Sequence, residues 1–206
     1  MTIEFAVGLF LTVLLGGYLF LYALLRSFRQ PKEQECQIKL LSVLGSGGHT
    51  TEMLKMTSAL DKDKYRPRVY LRADTDELSE IKARKQDADC EVEVIPRARE
   101  VGQSWLTTVL TTLRSFMASL LVMARVQPDL LLCNGPGTCV PACLIAFTLN
   151  KLRLSRTKIV FVESLCRVKH LSLTGKILKY FVDDHLVLWE ELRDANPGTK
   201  YVARFV

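Results

Sequence analysis

From residue 38 onward the chain alternates short apolar runs with longer amphipathic ones. Runs at 38–45, 66–73, 91–96, 129–134, 158–163 and 185–189 have strand length and are rich in Val, Ile and Leu, whereas 49–60, 76–86, 103–126, 138–150 and 172–182 repeat apolar residues at helical spacing. Strands that are apolar throughout, separated by helices, predict a parallel sheet covered on both faces: a Rossmann-like doubly wound α/β fold. In such a sheet, ligands sit beyond the carboxyl ends of the strands.

Ahead of this pattern, Phe5 to Leu25 is apolar apart from Thr12. As a helix it would be about 31 Å long, close to the thickness of a bilayer's hydrocarbon core. The basic residues Arg26, Arg29 and Lys32 follow the run instead of preceding it, which favours a retained transmembrane helix over a cleaved signal peptide and places the rest of the chain in the cytoplasm. The expected division is an anchor with its basic flank at 1–29, a polar linker at 30–37 and one Rossmann-like domain at 38–206. About 170 residues suit a single such domain and not two. Helix 103–126 carries an apolar face of Leu106, Val109, Leu110, Leu113, Met117, Leu120, Leu121 and Ala124, but Arg114 near its middle disfavours a second span. It is expected either to lie on a membrane surface or to pack within the domain.

Three strand ends carry polar chemistry. The first strand runs into Gly45-Ser46-Gly47-Gly48-His49-Thr50, where glycines let backbone N–H groups approach a ligand and the helix that follows favours negative charge. The loop reads as a cradle for a diphosphate, although it matches neither the P-loop nor the dinucleotide fingerprint. The fourth strand ends in Asn134-Gly135-Pro136-Gly137-Thr138, with Thr138 placed to cap the next helix. The fifth ends in Glu163-Ser164, followed by Arg167 and Lys169, with Glu163 expected to face the crevice and Arg167 to pair with phosphate oxygens. His49 is the first choice for a neutral-pH base and Glu163 the second. His170 is a weaker choice, and His185, within an apolar strand, is expected to be structural.

Charge and cysteines narrow the classes. The net charge of +6 is spread along the chain without a basic run, which argues against nucleic acid. The six cysteines stand mostly in apolar patterns and read as buried, reduced thiols. Asp74-Thr75-Asp76 is the nearest thing to a cation-binding pair and better suits a helix start, so neither a metal nor a cofactor is expected.

Taken together, Gly45–Thr50, Asn134-Gly135-Pro136-Gly137-Thr138-Cys139-Val140-Pro141 and Val162-Glu163-Ser164-x-x-Arg167 resemble the family of membrane-anchor subunits of the transferase that adds the second N-acetylglucosamine to dolichyl-diphosphate-N-acetylglucosamine. The soluble part also resembles the N-terminal half of the bacterial lipid II-forming glycosyltransferase. The resemblance implies an acceptor-binding half of a GT-B fold, an inverting reaction, and a separate cytosolic subunit that binds UDP-N-acetylglucosamine and is recruited to the endoplasmic reticulum membrane. It further implies that Gly45, Ser46, Gly47, Gly48, Thr50, Asn134, Gly135, Gly137, Thr138, Ser164 and Arg167 hold the acceptor's diphosphate and sugar. The apolar tail residues Tyr201, Val202, Phe205 and Val206 would dock the partner. Two other readings stay open on sequence: a membrane-anchored dinucleotide-binding oxidoreductase or epimerase, using Asp74 or Asp76 for the ribose, and a non-catalytic scaffold.

Overall fold

A computed structural model describes residues 3–27, 37–97, 105–135 and 137–203; side chains are described at Phe10, 12–27, 37–97, 111–135 and 137–203. The chain divides into two compact units, Met1–Pro31 and Lys32–Val206. The described residues of the first form one helix, α1 (Ile3–Ser27), with Arg26 in its last turn. Among the described residues no helix is long and apolar enough to cross a membrane, and the side chains of 1–9 and Leu11 lie outside that set.

The second unit alternates strand and helix. In chain order it comprises β1 (Leu40–Val43), α2 (Gly48–Ser58), β2 (Arg68–Ala73), α3 (Glu77–Gln86), β3 (Glu91–Ile95), α4 (Trp105–Val126) and β4 (Leu130–Asn134). It continues with α5 (Cys139–Lys151), β5 (Lys158–Val162), α6 (Leu173–Leu178), β6 (Asp184–Val187), α7 (Glu190–Asp194) and β7 (Lys200–Tyr201). The strands form one seven-stranded sheet in the order β3-β2-β1-β4-β5-β6-β7, and every pairing is parallel. This is the Rossmann-like sheet expected. β1 is buried along its whole length, because a central parallel strand is covered on both faces. Leu40, Leu44, Met53, Tyr70 and Val162 belong to the core cluster beside it. Order reverses between β1 and β4, so the loops leaving those strands diverge and open a crevice at their carboxyl ends.

Three elements differ from expectation. α6 winds out into a turn after Leu178, where Phe181 and Val182 donate their N–H groups to the Leu178 carbonyl, so it is shorter than the 172–182 pattern. α7 and β7 carry no pattern long enough to read, and β7 places Tyr201 on the edge of the chain's own sheet, paired with Val187. α4 packs against α5 and β3, burying Ser115, Ser119, Val122, Met123 and Ala124, while Arg125 bonds Glu93 of β3 at 2.8 Å. Leu113, Met117 and Leu121 remain exposed on its other side, and the side chains of Trp105 to Leu110 lie outside the described residues.

The β5-β6-β7 edge is stitched by charge. Asp184 pairs with Lys158 at 2.9 Å and with Lys200, and these bonds, Lys200 first, hold its carboxyl below the usual carboxylate range. A depressed carboxylate stabilises the fold above its unfolded pKa and loses that contribution as pH falls through its folded one. Asp184→Asn is therefore expected to cost about 0.5–1 kcal/mol at neutral pH, the range of a partly exposed ion-pair network. In urea titrations the gap from the parent should close as pH is lowered through the carboxylate range.

Candidate functional site

The crevice holds a cavity of about 380 Å³ lined by Gly48, His49, Glu52, Gly135, Ser164, Cys166, Arg167 and Ser172. Its walls come from the loops after β1, β4 and β5. At the first, Gly47 occupies the N-cap of α2 at φ 68°, a left-handed conformation that glycine adopts without a Cβ penalty. No side chain caps this helix and no acidic residue stands in its first turn, so the opening N–H groups and the positive end of the helix dipole meet the cavity uncompensated. Thr50 is turned away from it, wholly buried, with its hydroxyl bonded to the Gly45 carbonyl and 2.5 Å from Ser79 Oγ. It closes the glycine loop from behind and does not line the cavity.

His49 is held by the end of β4. Asn134, fully buried, donates its Nδ2 to the Val162 carbonyl at 3.3 Å, and this leaves its Oδ1 3.0 Å from His49 Nδ1. A carbonyl oxygen only accepts, so His49 Nδ1 carries the hydrogen and, in the neutral ring, Nε2 carries the lone pair. Nε2 makes no hydrogen bond among the described residues. Gly135, at φ 72°, lies flat against the imidazole, and a Cβ there would overlap the ring atoms. Asn134 and Gly135 together form a socket that fixes both the tautomer and the plane of His49.

Glu163 stands behind the wall and not in it. Its side chain is wholly buried, Oε1 accepts from Ser172 N at 3.1 Å and Ser172 Oγ at 3.0 Å, and a Cβ on Gly175 would overlap that oxygen. The carboxylate turns toward the start of α6, where it secures Ser172, itself the cap of that helix through Gly175 N. Glu163 thus reaches the cavity only through Ser172. His185, buried on β6, sits 3.6 Å from the same carboxylate and edge-on to Phe161. Trp189 donates its Nε1 to the Leu165 carbonyl at 2.8 Å and pins the loop that carries Cys166 and Arg167.

Of the residues expected at the site, the cavity gathers Gly48, His49, Gly135, Ser164 and Arg167. Asn134 acts through His49, whereas Gly45, Ser46, Gly47, Gly137 and Thr138 lie outside the lining. Thr138 occupies the N-cap of α5 in helical conformation and makes no side-chain cap bond, contrary to expectation. Phe205 and Val206 lie outside the described residues. Cys166 is exposed at the cavity, which corrects its reading as a buried thiol; Cys90, Cys133, Cys139 and Cys143 are buried and free, and burial pushes the Cys133 thiol up. Asp76 caps α3 through Ser79 N, and Asp74 accepts from Thr75 and Arg97 N–H groups, so local backbone occupies both acids that a ribose would need. Sequence reasoning missed Glu52 and Ser172. Glu52 follows His49 by three residues in α2, a helical spacing that puts both on one side and would have flagged it.

The profile of the family described as "Oligosaccharide biosynthesis protein Alg14 like" matches residues 40–205. The human UDP-N-acetylglucosamine transferase subunit ALG14 is 45% identical over 181 residues, covering 82% of this chain and 83% of the relative. The Schizosaccharomyces pombe subunit of the same name is 42% identical over 184 residues, covering 85% and 87%. The crystal structure of Acinetobacter baumannii MurG superposes with a TM-score of 0.59 at 16% identity, covering 80% of this chain but 44% of that one, a likeness of fold.

The socket yields a direct test. Gly135→Ala, strained by its left-handed φ and by the imidazole it would strike, is expected to cost about 1–3 kcal/mol in urea unfolding. It should also displace the His49 ring resonances in NMR spectra, while Gly137→Ala, which meets nothing within 4 Å, leaves them in place.

Proposed function

Since the chain belongs to the Alg14-like family of oligosaccharide biosynthesis proteins, we propose that it is the acceptor-binding subunit of a two-subunit UDP-N-acetylglucosamine transferase. The acceptor is dolichyl-diphosphate-N-acetylglucosamine and the product its chitobiosyl form. The observation that carries this reading is the pairing of an uncapped helix start with a tautomer-fixed imidazole in one cavity. The first-turn amides of α2 and the Arg167 guanidinium hold the diphosphate, as oriented N–H groups and a helix dipole suit an anion. His49 Nε2 takes the proton from the acceptor's C4 hydroxyl as its oxygen attacks the anomeric carbon of the donor sugar; the bond to UDP breaks and UDP leaves. Asn134 selects the tautomer of the neutral ring that carries its lone pair on Nε2, and Glu163 positions Ser172.

The donor half comes from a second, cytosolic subunit. A sugar-nucleotide transferase of this kind closes its donor between two lobes, and this chain overlays on 44% of MurG, a proportion that suits one lobe. The exposed edge of β7, with Tyr201 and Val202 and the Phe205 and Val206 that follow, is the proposed docking surface, because an unpaired parallel edge offers backbone groups to a partner. The apolar run Phe5–Leu25 with its basic flank supports a single-pass anchor in the endoplasmic reticulum membrane and a cytosolic domain.

His49→Ala in the complete complex is expected to lower kcat by about 100-fold or more, and Asn134→Ala to lower it in the same direction through loss of the tautomer. Unchanged turnover in His49→Ala overturns the assignment of the base. Deleting residues 203–206, beyond the Val202 N–H that bonds the Val187 carbonyl, should release the partner from membranes without unfolding the domain; a truncated chain that still holds its partner overturns the docking role of those residues. Protease added to sealed microsomes should digest the chain beyond about Arg26, and full protection would reverse the topology.

A further inference from the structure

Glu52 is the cavity's least explained group. Ser164 Oγ donates to its Oε1 at 2.9 Å and in turn accepts from Cys166 N at 3.4 Å. A hydroxyl has one hydrogen, so this chain of bonds has a fixed direction: from the Cys166 amide, through Ser164, to the carboxylate. The other oxygen, Oε2, is shielded from solvent and has no hydrogen-bond partner. Nor does Glu52 form an ion pair among the described residues, although Arg167 lines the same cavity. A carboxylate oxygen that is shielded and unmet is costly; Glu163 Oε2 is in the same state behind the wall, whereas Glu52 lines the cavity, where a ligand can complete it.

The cavity divides chemically. Its positive side is the α2 start with Arg167, and its negative side is the Glu52 carboxylate one turn along the same helix. A ligand that satisfies both carries an anion joined to a group rich in hydrogen-bond donors. We propose that Glu52 Oε2 accepts a hydrogen bond from a hydroxyl or amide N–H of the acceptor's sugar, and so distinguishes a glycosyl diphosphate from a bare polyprenyl diphosphate. This assignment rests on the transferase reading above. Ser164 is the positioning residue: its bond to Oε1 fixes the carboxylate in the cavity wall. Glu52 binds and does not take the proton, because His49, whose neutral tautomer is oriented by Asn134, is the base in the reading above.

Glu52→Gln is the test, since it keeps shape and lets Oε1 still accept from Ser164 while putting an NH₂ donor where the ligand's donor must bond. Kinetics are measured on the full complex in membranes, with polyprenyl-diphosphate-N-acetylglucosamine as acceptor. The expected result is a fall in kcat/KM for the acceptor of about ten- to a hundredfold, carried by KM, with KM for UDP-N-acetylglucosamine and the shape of the pH profile unchanged. An acceptor KM equal to the parent's overturns the proposal. So does a fall confined to kcat with loss of the acid limb of the pH profile, which would make Glu52 the base. If Glu52→Gln melts early, Ser164→Ala decides: a raised acceptor KM supports the proposal and an unchanged one overturns it. A parent complex that fails to transfer to this acceptor overturns the transferase reading and this inference with it, whereas normal parent turnover beside an unaltered Glu52→Gln overturns the inference alone.

Discussion

The site depends on one buried amide. Asn134 sits at the end of β4 with no exposure to solvent, and its two ends are committed in opposite directions, Nδ2 to the β5 backbone and Oδ1 to the His49 ring. An amide in that position cannot flip without setting its Oδ1 against the Val162 carbonyl oxygen, acceptor against acceptor, so the tautomer of the neutral His49 ring is set by the sheet. Glycine at 135 completes the arrangement by letting the ring come close. The geometry around His49 is in this sense an extension of the β4-β5 pairing, in which Asn134 stands opposite Val162.

How much of this could be read from the sequence follows from which signals are local. Parallel strands buried on both faces appear as unbroken apolar runs, so β1, β2, β4 and β5 were legible, as was the Asp76 cap of α3. The glycine loops were legible because few residues other than glycine suit a left-handed turn. Strand β7, two residues long, has no period to detect, and α7 is little more than a turn. The orientation of Glu163 was illegible for a different reason. One residue at a strand end can face either the crevice or the interior, and the choice is made by Ser172 and Gly175, which only the folded chain brings close. Glu52 had a local signal, its place three residues after His49 in α2, but its bond to Ser164, 112 residues away, had none.

The family assignment and the cavity complement each other. The family supplies the context of a transferase with more than one subunit, and the cavity gathers the groups to which the proposed roles are given: the α2 start and Arg167 for an anion, His49 for a proton, Glu52 for a hydrogen-bond donor. None of these groups relies on a neighbouring lobe for its own position. His49 and Glu52 are held by hydrogen bonds internal to the sheet and its loops, which suits a subunit that must keep its half of the site in order before its partner arrives.

Sheet order also governs when the site comes into being. β1 and its glycine loop appear early in synthesis, but Asn134 lies 85 residues beyond His49, and Ser164 lies 112 beyond Glu52. Contacts of that separation are the slowest to form, because loop closure must come first. A nascent chain that has paired only β1, β2 and β3 therefore owns the cradle but lacks both the amide that orients the imidazole and the hydroxyl that aims the carboxylate. The cavity is thus completed late and all at once, with the emergence of β4 and β5 from the ribosome.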